Sequence, residues 1–181
     1  FNMYIEISKI FKNKYLRIFS NIAENPNNRI SSEDLERLCT IAQENNIELL
    51  MENERKTCAE TPYDCYKIIE NQNNINIIYD LSNSFLEGHD VFEWYEKSKE
   101  RITYIHLRDY DLKEDKYAYL GEGDIGIAKF MKIIKEDGFG GIISIETHLP
   151  MNNSGKTKRK LFLKSMDNFY AIAKELNIAI N

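Results

Sequence analysis

Four short apolar runs constrain this chain more than any other feature, because each finishes on or beside a side chain that binds metal ions well. "IELLME" ends at Glu52, "INIIYD" at Asp80, "ITYIHL" carries His106 next to its end, and "GIISIE" ends at Glu146. These residues stand 28, 26 and 40 positions apart, and each interval leaves room for a strand, a loop and a covering helix. Parallel strands of α/β proteins are buried on both faces, so they read as continuous apolar runs. In such sheets and barrels, ligands gather at the carboxyl ends of the strands. Two glutamates, an aspartate and a histidine converging there would form a divalent-cation site.

The intervening segments support that reading. A helix is expected over residues 3–12, with Tyr4, Ile7 and Phe11 on one face, followed by a strand "YLRIF" at Tyr15–Phe19 and the loop "SNIAENPNNR". "SSEDLERLCTIAQENN" opens with serine caps and acidic residues, a helix entry, and Leu35, Leu38, Ile41 and Ala42 follow helical period. Thr61 and Pro62 mark an N-cap and first helical position. "LSNSFLEGH" and "RDYDLKEDKYAYLGEG" read as loops, and helices are expected at "DVFEWYEKSKE", at "IGIAKFMKIIKEDG" with its stop at Gly138, and over residues 156–176.

The order is a helix and then five β/α units, which argues for parallel strands joined by right-handed crossovers. Residues 1–181 are expected to form a single α/β domain. An open doubly wound sheet and part of a (β/α)8 barrel both satisfy the order. A full barrel needs eight units and about 250 residues, so this chain would be the last five units of one, a partial barrel with its N-terminal units absent. Phe1 is not a methionine, and "YIEISKIFKNK" reads as the later part of a helix. An uncovered strand edge invites association, which a preceding segment or a second copy of the chain, in a homo-oligomer, would satisfy.

Composition narrows the classes. A net charge of −5 with no basic stripe gives nucleic-acid binding no electrostatic support. The most basic stretch, "KTKRK" at Lys156–Lys160, reads as a solvated helix start. No apolar stretch approaches the ~20 residues of a membrane span, and no signal peptide is visible. Cys39, Cys58 and Cys65 are an odd number without metal-type spacing, as expected for reduced thiols in a cytoplasmic protein.

Three carboxylates and one imidazole make a hard, oxygen-rich donor set suited to Mn²⁺ or Mg²⁺, with Co²⁺ and Zn²⁺ also accommodated. Such an ion is a Lewis acid toward a substrate carbonyl, and a flanking carboxylate can take the proton from the neighbouring carbon. Each residue taken alone has an ordinary alternative: a solvated loop glutamate, a helix-capping aspartate, a hydrogen-bonded core histidine or a salt-bridged glutamate. Arg17 is a candidate for a substrate oxygen or for a salt bridge. Arg108 and Asp109 lie just past His106 and are candidates to orient it, and Arg108 is also a candidate substrate contact. His148 shares a strand face with Glu146, as a supporting or a solvated residue.

Glu52 in "LLMEN", Asp80 in "YDLSN", His106 in "IHLRD", the segment "LGEGDIG" at Leu120–Gly126, and Glu146 in "GGIISIETH" together resemble the xylose-isomerase-like TIM-barrel superfamily. That superfamily includes sugar isomerases and epimerases, inosose dehydratases and the family 2 AP endonucleases. The resemblance runs from about Tyr15 to the end of the chain. It implies that Glu52, Asp80, His106 and Glu146 bind one divalent metal, and that Glu52 and Glu146 also shuttle protons on opposite faces of a sugar or polyol. Endonuclease relatives carry further zinc-binding histidines where this chain has Asn83 and Tyr117. Ketose 3-epimerases carry a histidine at 83 and an arginine near 112, and this chain departs from that pattern with Asn83 and Leu112; Asn83 is a candidate substrate contact. The expected function is a divalent-metal-dependent isomerase or epimerase of a sugar, sugar phosphate or polyol. A keto-polyol dehydratase and a catalytically incomplete metal-binding fragment are the alternatives.

Overall fold

The computed structural model describes residues 1–21, 30–148 and 155–180, with the side chains of 155–158 outside the description. Most of the expected "SNIAENPNNR" loop therefore lies outside the described residues. The chain divides into two compact units, Phe1–Tyr104 and Ile105–Asn181.

The first unit alternates helix and strand: α1 (Asn2–Phe11), β1 (Tyr15–Phe19), α2 (Ser32–Glu44), β2 (Glu48–Glu52), α3 (Pro62–Ile69), β3 (Ile75–Asp80), α4 (Leu81–Leu86) and α5 (Val91–Ser98). β4 (Ile102–Leu107) runs across the boundary between the units. β1, β2 and β3 are parallel neighbours, with Phe19 opposite Glu52 and Glu52 opposite Ile78. Period-2 alternation then puts Arg17, Phe19, Leu50, Glu52, Ile78 and Asp80 on one face. Leu49, Met51, Ile75, Ile77 and Tyr79 occupy the other and are fully buried, packed under α2 and α3. Those helices start where the sequence provides caps. Ser31 accepts from the Asp34 N–H at 3.0 Å, and Thr61 with Asp64 forms a reciprocal capping box ahead of Pro62.

The second unit holds a two-stranded antiparallel ribbon, β5 (Asp109–Asp111) with β6 (Lys116–Ala118), followed by α6 (Ile127–Glu136), β7 (Ile142–Ile145) and α7 (Gly155–Glu175). β7 lies beside β4, and the Glu146 N–H donates to the Leu107 carbonyl at 3.0 Å. Phe130, Met131 and Ile134 of α6 and Phe169 and Ala173 of α7 form its apolar interior.

Two segments expected as loops are ordered elements. "LSNSFL" is helix α4 because Asp80 caps it, accepting the Asn83 N–H at 3.1 Å. The polar stretch after Arg108 folds into the β5–β6 ribbon, where Tyr110 and Tyr117 meet edge-to-face at 5.3 Å.

Candidate functional site

In the first unit the carboxyl ends of β2 and β3 bring two acids to one sheet face. Glu52 is 2% exposed and Asp80 is fully buried. Burying carboxylates is costly unless hydrogen bonds and counter-charge compensate, and both kinds of compensation are present. The Arg17 guanidinium reaches along the strand face and donates from Nη1 to Glu52 Oε2 at 2.8 Å, while the Phe19 ring sits 4.9 Å from its centre. Asp80 Oδ1 accepts from the Ser82 hydroxyl at 2.8 Å as well as from the Asn83 N–H.

Between the two acids lies Asn53, fully buried. Its Oδ1 accepts the Asp80 N–H at 2.8 Å. Its Nδ2 is within 3.0 Å of the Asp80 carbonyl, 3.1 Å of the Glu60 carbonyl and 3.2 Å of the Ser84 hydroxyl. Asn83 closes the lattice by donating from Nδ2 to the Asn53 carbonyl at 2.9 Å. The side chain of Asn53 thus locks the end of β3 to the residue that follows Glu52. The strand patterns do not single out Asn53; the signal for it is an amide placed directly after a buried strand end.

In the second unit Glu146, just past the end of β7, gathers cationic and imidazole groups. Its Oε1 is 3.2 Å from His106 Nδ1. Its Oε2 is 3.5 Å from His148 Nε2 and 3.9 Å from Arg108 Nε. His106 and Arg108 are buried, while His148 is half-exposed and packs against the Tyr117 ring at 5.2 Å. The His106 ring nitrogen Nδ1 and the Glu146 oxygen Oε1 thus face one another, two donor atoms of the kinds that ligate a divalent cation.

Asp109 holds the glycine-rich loop. Its carboxylate accepts the N–H groups of Tyr110 at 3.0 Å, Gly121 at 2.8 Å, Gly123 at 3.0 Å and Ile125 at 3.3 Å. Burial pushes its carboxyl above the ordinary range, against the opposing pull of those four donors. Gly123 is required by the close approach: a methyl there would press on the Asp109 carboxylate and lie 2.5 Å from the Tyr110 carbonyl oxygen. The loop is fastened to α7 as well. Lys164 pairs with Glu122 at 2.8 Å and Asn168 donates to the Leu120 carbonyl at 2.9 Å, and Lys164 with Asn168 holds the Glu122 carboxyl below its usual value.

The donor chemistry of both units fits a hard divalent cation: carboxylate oxygens with imidazole nitrogen and no thiolate among them. Cys39, Cys58 and Cys65 are free thiols. Among the described residues, no helix is long and apolar enough to cross a membrane.

Parallel strands with acids and an imidazole at their carboxyl ends define an α/β domain of the (β/α)-barrel class. More narrowly, the chain belongs to the Xylose isomerase-like TIM barrel family, which matches residues 2–172. It is 22% identical over 134 residues to an inosose dehydratase of Clostridium perfringens, a match covering 64% of this chain and 45% of that protein. Among solved structures, a D-tagatose 3-epimerase-like protein has a TM-score of 0.76 at 20% identity, covering 96% of this chain and 67% of the other. L-ribulose 3-epimerase has a TM-score of 0.73 at 15% identity, covering 97% and 66%. The chain spans less than half the length of the curated relatives it matches.

Proposed function

We propose that Glu52 and Asp80 of the first unit, with His106 and Glu146 of the second, hold one divalent cation, Mn²⁺ or Mg²⁺ in preference to Co²⁺ or Zn²⁺, and that the protein is an isomerase or epimerase of a sugar or polyol. The observation that carries this reading is the buried group Glu52, Asp80 and His106, whose carboxylate and imidazole donors suit a metal ion. When bound, the cation supplies Lewis acidity to a substrate carbonyl.

The protein's own groups do the rest. Glu52 and Glu146 are the two acids assigned to proton transfer, one removing the proton beside the carbonyl and the other returning it on the opposite face. Asp80, tied by Asn53 and the α4 cap, is a fixed ligand with no proton role. Arg108 and His148 hold Glu146 in position beside His106, and Asp109 keeps the adjoining loop closed. Arg17 and Asn83 are the residues of the first unit assigned to substrate contact.

The similarity to an inosose dehydratase favours a second reading, water loss from a keto-polyol on the same site. Both reactions begin by taking a proton from the carbon beside a carbonyl. Incubating the Mn²⁺-loaded chain in D₂O with a panel of ketoses and keto-polyols separates them. Deuterium at an inverted carbon supports the epimerase, and loss of water without stereochemical change replaces it with the lyase. Metal binding without deuterium uptake on any panel member would identify an incomplete fragment and refute both.

A further inference from the structure

Arg17 is placed to control how Glu52 meets a cation. β1 presents Tyr15, Arg17 and Phe19 on one face, and the parallel register puts Phe19 opposite Glu52. Reaching diagonally, the guanidinium engages Oε2 at 2.8 Å and leans on the Phe19 ring at 4.9 Å. The carboxylate is 3% exposed while the Arg17 side chain is 46% exposed. The pair therefore joins a buried anion to a cation that solvent reaches. An N–H···O⁻ bond of this length is charge-assisted and directional, so it fixes the carboxylate's rotation and engages one oxygen.

From this geometry we infer that Arg17 is a positioning residue that holds the Glu52 carboxylate through Oε2 and, by its positive charge, lowers the cation affinity of the site. The inference rests on the metal reading above and deepens it. Without the guanidinium, a hydrogen bond on Oε2 and a repelling positive charge are both gone. Coulomb repulsion between a nearby unit charge and a divalent cation is substantial in a partly buried setting.

The test is calorimetric titration of Mn²⁺ into the whole chain and into Arg17→Met and Arg17→Lys, with the Mn²⁺ electron paramagnetic resonance spectrum of each. Arg17→Met should bind about tenfold more tightly than the parent with an altered spectrum. Arg17→Lys, which keeps the positive charge, should restore the parent affinity within about threefold. Equal or weaker binding by Arg17→Met overturns the role of Arg17 and leaves the metal site standing. A parent chain that binds no Mn²⁺ overturns both. Because Arg17 is half-exposed on β1, folding of the variants is checked by circular dichroism, and Arg17→Gln replaces any variant that fails. The same tightening is expected of it, and its absence is equally decisive.

Discussion

The two units hold their acids in opposite ways. At the ends of β2 and β3, the Asp80 backbone is held in a lattice of short hydrogen bonds centred on Asn53, and buried Glu52 has Arg17 as a solvent-reached counter-ion. Glu146 instead lies past the end of β7, 29% exposed, ringed by His106, Arg108 and His148. In the first unit, position is set by buried polar satisfaction, where a single lost partner strands several groups. In the second, position comes from charge pairing at a more open place, where each contact is weak by itself. The lesson is that acids of similar assigned role need different substitutions to disturb them.

The most damaging change should be Asn53→Ala. It strands the Asp80 N–H and the groups facing Nδ2 in a fully buried place, for an expected loss of about 3 kcal/mol in urea denaturation. A loss below about 1 kcal/mol would break the picture of a buried lattice. Next is Gly123→Ala in the second unit, where the added methyl collides with Asp109 and the Tyr110 carbonyl. Overpacking of this kind costs about 2 kcal/mol, and proteolysis of the 119–125 loop should speed up with it.

The third prediction concerns pH. A carboxyl whose folded pKa lies above its unfolded one binds its proton more tightly when folded, so its contribution is largest in acid and falls as pH rises. For Asp109 the decline starts near the unfolded value of about 4 and ends above its raised folded value. The stability of the parent relative to Asp109→Asn should therefore fall between pH 4 and pH 7 in paired urea melts. A relative stability that rises over that interval would reverse the sign of the burial effect. The smallest effect belongs to His148→Ala. Its side chain is half-exposed, so folding stability should move by no more than about 0.5 kcal/mol; a larger shift would mean the second unit is also built on buried contacts.

Much of this was legible before any coordinates. β2 and β3 end on Glu52 and Asp80 because strands buried on both faces leave uninterrupted apolar runs, and the Thr61–Pro62 and Ser31 helix entries carry side-chain caps that composition alone reveals. What escaped the sequence has physical causes. α4 is only six residues long and its cap is Asp80 itself, so it has neither apolar periodicity nor a separate start signal. The β5–β6 ribbon is polar and short, and its pairing depends on Tyr110 meeting Tyr117 across the turn. Asn53 is invisible to any periodic pattern because its side-chain partners, Glu60, Asp80 and Ser84, come from three different segments. Asp109 follows His106 by three residues, yet its carboxylate serves the N–H groups of a loop that begins more than ten residues later.

The central proposal is that Glu52, Asp80, His106 and Glu146 ligate one cation. Titrating Mn²⁺ into the parent chain, Asp80→Asn, His106→Ala and Glu146→Gln tests it most directly. The account predicts one ion per parent chain and at least about tenfold weaker binding in every variant. Parent-like affinity in both His106→Ala and Glu146→Gln would contradict it.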